Sequence, residues 1–176
     1  MTYNATLTAD GEGLKSFFVD ENAFQDKASH GNLASNVFEF TYDVTRPTVT
    51  ISASEGVSGF ASNDAVLSLT FTLSEPTIDF TQSDITTNGG GILSSFAKIS
   101  DLTYSATFTP SGESLKSISV NDDAFRDGAN NGNLESNVFE WTYDSSRPTI
   151  TISASEGTSG FASNDAVLSL TFTLSE

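Results

Sequence analysis

"AVLSLTFTLS", residues 65–74, alternates apolar and hydroxylated side chains from Leu67 onward. Leu67, Leu69, Phe71 and Leu73 fall on one side, with Ser68, Thr70, Thr72 and Ser74 on the other. A period of two is that of a half-buried β-strand, because successive side chains on an extended chain point to opposite faces. The β-branched and aromatic content agrees with that assignment.

The same rhythm recurs on both sides of this stretch. "TVTIS" (48–52) carries Val49 and Ile51 on one face, and "TYSATFT" (103–109) carries Tyr104, Ala106 and Phe108. "VFEWTYD" (138–144) groups Phe139, Trp141 and Tyr143, and Leu115 to Val120 forms a further strand through Ile118 and Val120. "IDF" (78–80) and Ile92–Ile99 are less regular candidates. Turn-forming runs separate them: "SEGVSGFASND", "SEPT", "NGGG", "TPSGES" and "NDDAFRDGANNGN". No stretch reads as a helix. Short, half-apolar strands at this spacing predict an all-β chain built as a sandwich of two antiparallel sheets.

The chain also repeats itself. "RPTVTISASEGVSGFASNDAVLSLTFTLSE" begins at Arg46 and "RPTITISASEGTSGFASNDAVLSLTFTLSE" at Arg147, an offset of 101 residues (147 − 46). The same offset lays Thr2–Asp43 on Thr103–Asp144, with "SNVFEFTYD" on "SNVFEWTYD". A fixed period of domain length is the mark of a tandem array. The expected organisation is the C-terminal part of one unit in residues 1–45, a complete unit in 46–146 and the N-terminal part of the next in 147–176. Met1 then starts in mid-repeat. "MTYNATLTAD" has neither the basic start nor the apolar stretch of a secretory leader, so a secreted chain of this kind is expected to be a piece of something longer.

Composition narrows the function. Asp and Glu number 23 against 7 Lys and Arg, giving a formal net charge of −16. Such a surface repels nucleic acid and anionic lipid and suits cations. Cysteine is absent, which excludes disulfides and thiolate metal sites. No apolar run is long enough for direct membrane insertion. His30 is the one histidine, and Asn131 takes its place in the complete unit, so no repeated catalytic triad exists. An enzyme is not expected. "NAT" at Asn4 is a glycosylation sequon, but its counterpart "SAT" at Ser105 is not.

One loop carries metal-ligand chemistry. In "NDDAFRDGANNGN" (121–133), Asp122, Asp123, Asp127, Asn130 and Asn133 offer the hard oxygens that calcium takes six to eight of. The loop is no EF-hand, since Phe125 stands between Asp123 and Asp127 where an oxygen ligand is needed. Strand alternation brings the turn after "LTFTLS", with Glu75 and Asp79, to the same end, and Asp43 arrives there from the preceding unit. Carboxylates from three segments then repel one another unless a cation lies between them. The front copy, "DENAFQDKASHGN" (20–32), keeps Asp20, Glu21, Asp26 and Asn32 but has Ser29 and His30 for Asn130 and Asn131. The bland reading is a solvated turn in which Asn and Gly take positive φ and Phe125 belongs to the core.

The landmarks, in order, are "RPTVTISAS", "LSLTFTLSEPTIDFTQSDITTNGGGILSSF", "YSATFTP" and "ISVNDDAFRDGANNGN". This run resembles the bacterial Ig-like tandem repeats of large surface adhesins and biofilm-associated proteins. The resemblance covers the whole unit. It implies an Ig-like antiparallel sandwich, an extracellular or cell-surface location, a structural stalk or spacer role with neighbouring repeats as partners, calcium stiffening the array, and no catalysis. "RDGANNGN" departs from the family's tighter Asp-x-x-Gly-Asn.

Two other readings follow from the residues. An adhesive module would present the Thr70/Thr72 row to glycan or ice, although such rows are ordinarily the wet side of a strand. Alternatively the cut ends would complement one another between chains. The front part supplies the last three strands of a unit and the tail the first two, so self-assembly head to tail would build a filament.

Overall fold

In the computed structural model, which describes residues 1–176, the chain is almost entirely extended. A first hairpin pairs β1 (Gly13–Phe17) with β2 (Phe38–Tyr42). The central region holds β3 (Val49–Ala53), β4 (Phe60–Ser62), β5 (Leu67–Leu73), β6 (Ile85–Asn88), β7 (Gly91–Ser100), β8 (Thr103–Pro110), β9 (Ser114–Val120) and β10 (Phe139–Tyr143). A last hairpin pairs β11 (Ile150–Ala154) with β12 (Leu170–Leu174). The helical content is one 3-10 turn, Gln82–Asp84.

The central strands form two four-stranded sheets, ordered β3-β5-β8-β7 and β4-β10-β9-β6. Their facing sides are the apolar rows read from the sequence. Val49, Ile51, Leu67, Leu69, Phe71, Leu73, Tyr104, Ala106 and Phe108 from one sheet meet Ile118, Val120, Phe139 and Trp141 from the other. The chain thus has an Ig-like β-sandwich fold. Register is held because a one-residue slip of β5 against β8 would turn Leu67, Leu69 and Phe71 to solvent, away from Phe108, Ala106 and Tyr104.

Three sequence readings change. "SEGVSGFASND" is more than a turn: Phe60–Ser62 within it forms β4, which pairs in parallel with β10. The stretch from Val49 to Ser62 therefore supplies one strand to each sheet, β3 to one and β4 to the other. Phe60 stacks on Trp141 at 6.1 Å between ring centroids, a contact that a turn prediction cannot see. "IDF" forms no strand; Phe80 instead drops into the core beside Phe125, at 4.8 Å between centroids. Thr2–Ala9 is not a strand although its counterpart is β8. In the central sandwich β8 hydrogen-bonds to β5 and β7, and the front part contains neither.

A buried polar group was invisible to the apolar pattern. Lys116 lies on the inward side of β9, opposite Trp141, and is fully buried. Its ammonium donates to the carbonyls of Gly89, Gly112 and Ser111 and to Ser114 Oγ, so four oxygens of two turns offset its lost hydration. Asn137 similarly donates from Nδ2 to Ile51 O and accepts from Ile51 N, closing the free edge of β3.

Candidate metal centre

The loop 121–133 is anchored from within. Phe125 is buried against Phe80, and Phe80 packs edge-on to Tyr104 and Phe96. Asn133 is also buried. It accepts from Phe125 N at 2.9 Å and donates to the carbonyls of Asn121 and Leu134 at 2.8 Å each. Asn130 holds a left-handed turn at φ 73°. These contacts determine where Asp127 points.

Asp127 is buried and Asp43 and Glu75 are half-buried, and one carboxylate oxygen of each lies within 4.8 Å of the others. The three come from separate segments: the linker after β2, the turn after β5 and the loop before β10. Asp127 Oδ1 accepts from Ala129 N (2.9 Å) and Asn131 N (2.8 Å), and Oδ2 from Asn131 Nδ2 (2.9 Å). Burial pushes the Asp127 carboxyl up, but the Asn131 side chain and the loop N–H groups outweigh it and hold the group below its ordinary range. Glu75 is shifted the other way. Burial raises it first, and the charges of Asp43, Asp127 and Glu12 raise it further. Three acids with one of them driven toward its neutral form make a concentrated negative site of hard oxygens, the chemistry of an oxygen-seeking divalent cation.

The linker itself is gripped from both sides. Glu12 accepts from Val44 N (2.8 Å) and Thr45 Oγ1 (3.0 Å), and its carboxyl is lowered chiefly by the Val44 N–H. From the other side Asn131 Nδ2 donates to Asp43 O at 3.2 Å, and Asp43 Oδ1 accepts from Thr45 N at 2.9 Å. Arg46 completes the hold. Nε donates to Gly132 O (2.7 Å), and one terminal nitrogen donates to Asn133 O (2.5 Å) and Asp122 Oδ1 (2.8 Å), with Asp123 Oδ1 at 3.4 Å. Gly132 leaves room for the Asp123 carboxylate, which a Cβ there would overlap.

The expected ligand set therefore divides. Asp43, Glu75 and Asp127 come together. Asp122 and Asp123 do not, because Arg46 draws them to the other side of the loop. Asn133 has its amide engaged within the loop, and Asn130 makes the turn. Asp79 accepts from Arg126 N at 2.7 Å. In the front copy, Asp26 accepts from Ala28 N, His30 N and the His30 ring, and Asn32 bonds Phe24 N, Asp20 O and Leu33 O. The loop shape is the same, but Asp20, Glu21, Asp26 and Asn32 meet no second acidic segment there.

Glu12, Arg46 and Asn131 were missed as site residues. Glu12 had a signal, since Glu113 repeats it at the same offset and accepts from Ser145 N and Ser146 Oγ. Asn131 had none, because His30 replaces it while bonding the same carboxylate oxygen of the aspartate.

A profile of the bacterial Ig-like domain matches residues 43–143, more than half of the chain and all of the central sandwich. The chain belongs to the bacterial Ig-like domain family. Nothing among the curated proteins or the solved structures matches it. The family's fold is a non-catalytic one, and bacterial Ig-like domains commonly occur in surface proteins. No helix of this Ig-like chain is long and apolar enough to cross a membrane.

Proposed function

We propose that this Ig-like chain is a stalk or spacer segment of a large extracellular, adhesin-type protein, and that calcium stiffens its domain junction. The observation that carries the calcium reading is the meeting of Asp43, Glu75 and Asp127 at the linker. Asp43 belongs to the end of one unit, whereas Glu75 and Asp127 belong to the next. A cation between them ties the two units together and relieves their mutual repulsion. Water and backbone carbonyls would fill the rest of a six- to eightfold shell. The mechanical role rests on the family and on the repeated sequence: closed sandwiches in series, each a few nanometres long, with restrained joints.

The test is the melting of the central unit, followed through Trp141, the single tryptophan. Saturating calcium at about a hundred times Kd adds about 2.7 kcal/mol to a protein that binds it only when folded. The melt should rise by several degrees and fall back with EDTA. A melt indifferent to calcium, in wild type and in Glu75→Gln alike, removes the metal from the junction.

A further inference from the structure

The buried ammonium of Lys116 ties two turns together at the end of the sandwich where the chain leaves the central unit. In the β8–β9 turn it donates to Gly112 O at 2.7 Å, Ser111 O at 3.3 Å and Ser114 Oγ at 2.9 Å. In the β6–β7 turn it donates to Gly89 O. Gly89 holds φ 83°, and a Cβ on it would overlap the Leu115 carbonyl, so glycine is what lets that turn press against β9. A buried cation with this many oxygen partners is fixed in place, because any of its donors left unbonded would be costly.

Glu113 stands between Gly112 and Ser114, both of them bonded to Lys116. Ser114 pairs with Tyr143, the last residue of β10, so Glu113 lies beside the linker that follows. Its Oε1 accepts from Ser145 N (3.0 Å), Ser145 Oγ (2.7 Å) and Ser146 Oγ (3.0 Å), and its Oε2 from Ser146 Oγ (3.0 Å). The hydroxyls of Ser145 and Ser146 hold its carboxyl below the ordinary range.

The same connection occurs at the other junction. Glu12 and Lys15 stand 101 residues before Glu113 and Lys116 (113 − 12). Glu12 holds Val44 N and Thr45 Oγ1, directly after Asp43. Lys15 Nζ donates to Asp10 Oδ1 at 3.1 Å, and Asp10 takes the place of Ser111. The acceptors differ, but in both copies a strand lysine holds the turn that carries the glutamate. In both, the glutamate holds the first residues of the linker.

We infer that Glu113 is a metal-free latch on the linker between consecutive units, and that Lys116 is the residue that positions it. The latch presupposes consecutive units in a stalk and works without calcium. At the first junction the preceding unit holds the linker through Glu12, and the following unit holds it through Arg46 and Asn131. The joint therefore keeps its direction when no ion is bound, and a cation adds to a linker already held.

Amide hydrogen exchange of the full 176-residue chain in EDTA tests it. The Ser145 N–H is held by Glu113, whereas the neighbouring Asp144 N–H is held by Ser62 O and serves as the reference. In Glu113→Ala, Ser145 should exchange about tenfold faster than in the wild type, the effect of losing one bond to a charged acceptor. Lys116→Met keeps the buried chain without the ammonium and should speed Ser145 to a similar extent. Asp144 should be unchanged in both, and the Glu113 carboxyl, followed by NMR, should titrate higher in Lys116→Met than in the wild type. Gly112→Ala strains the same turn at φ 76° with open space around it, and decides the positioning role if Lys116→Met unfolds. Unchanged Ser145 exchange in Glu113→Ala overturns the latch. Ser145 freed by Glu113→Ala but not by Lys116→Met or, where that variant unfolds, by Gly112→Ala, overturns the positioning role. With no calcium present, neither result depends on a metal at Asp43, Glu75 and Asp127.

Discussion

The carboxylates of Glu75 and Asp127 approach within 4.8 Å of each other, yet their protonation is biased in opposite directions. Asp127 is surrounded by N–H donors and keeps its charge. Glu75 is half-buried beside three other acids and resists its own. The pair is thus asymmetric: one member builds the loop, and the other only adds charge.

Substitution should separate those roles. Asp127→Ala removes the acceptor for Ala129 N, Asn131 N and the Asn131 amide, and should cost about 2 kcal/mol even in EDTA. Glu75→Gln should leave the calcium-free protein as stable or more so, and abolish the calcium-induced rise. Thermal melts of both variants with and without calcium check this. A Glu75→Gln protein that still responds fully would remove Glu75 from the site.

The pH dependence without calcium follows from the same bias. A carboxyl raised in the folded state binds its proton more readily there, so Glu75 opposes folding at neutral pH. That opposition fades as pH falls through its raised value and is gone below the ordinary 4.5. Lowered groups such as Asp127 stabilise above the ordinary aspartate value of 3.8 and lose that contribution below it, as pH falls through their folded values. Stability in EDTA should therefore rise slightly on mild acidification and then drop. Denaturant titrations of wild type and Glu75→Gln should differ on the first limb alone.

Arg46→Ala should destabilise the junction by about 2–3 kcal/mol, since charge-assisted bonds to the Gly132 and Asn133 carbonyls and to Asp122 vanish together. Arg46→Lys should recover less than half, because a lysine cannot reproduce the planar fork. Urea midpoints followed at Trp141 measure both.

The two copies of one loop offer an internal control. Phe125→Ala should cost about 3–5 kcal/mol, the usual penalty for emptying a buried phenylalanine site. Phe24→Ala, at the matching exposed position, should leave the melt of the central unit unchanged. Equal effects would mean that the front part is packed as the central unit is.

Much of the fold was legible in the residues. Alternation over Leu67–Leu73 and Tyr104–Phe108 specifies which faces meet, because the period of an extended chain is a local property. Repetition at a fixed offset shows one design used more than once. The meeting of Asp43, Glu75 and Asp127 could be expected at one end of the sandwich from strand direction alone. Its membership was decided by tertiary contacts: Arg46 removes Asp122 and Asp123, and burial of Phe125 against Phe80 aims Asp127. The parallel pairing of β4, the inward Lys116 and the failure of Thr2–Ala9 to form a strand share the same cause. Whether a segment becomes a strand, or a charge becomes a core group, depends on neighbours far away in sequence that supply its hydrogen bonds.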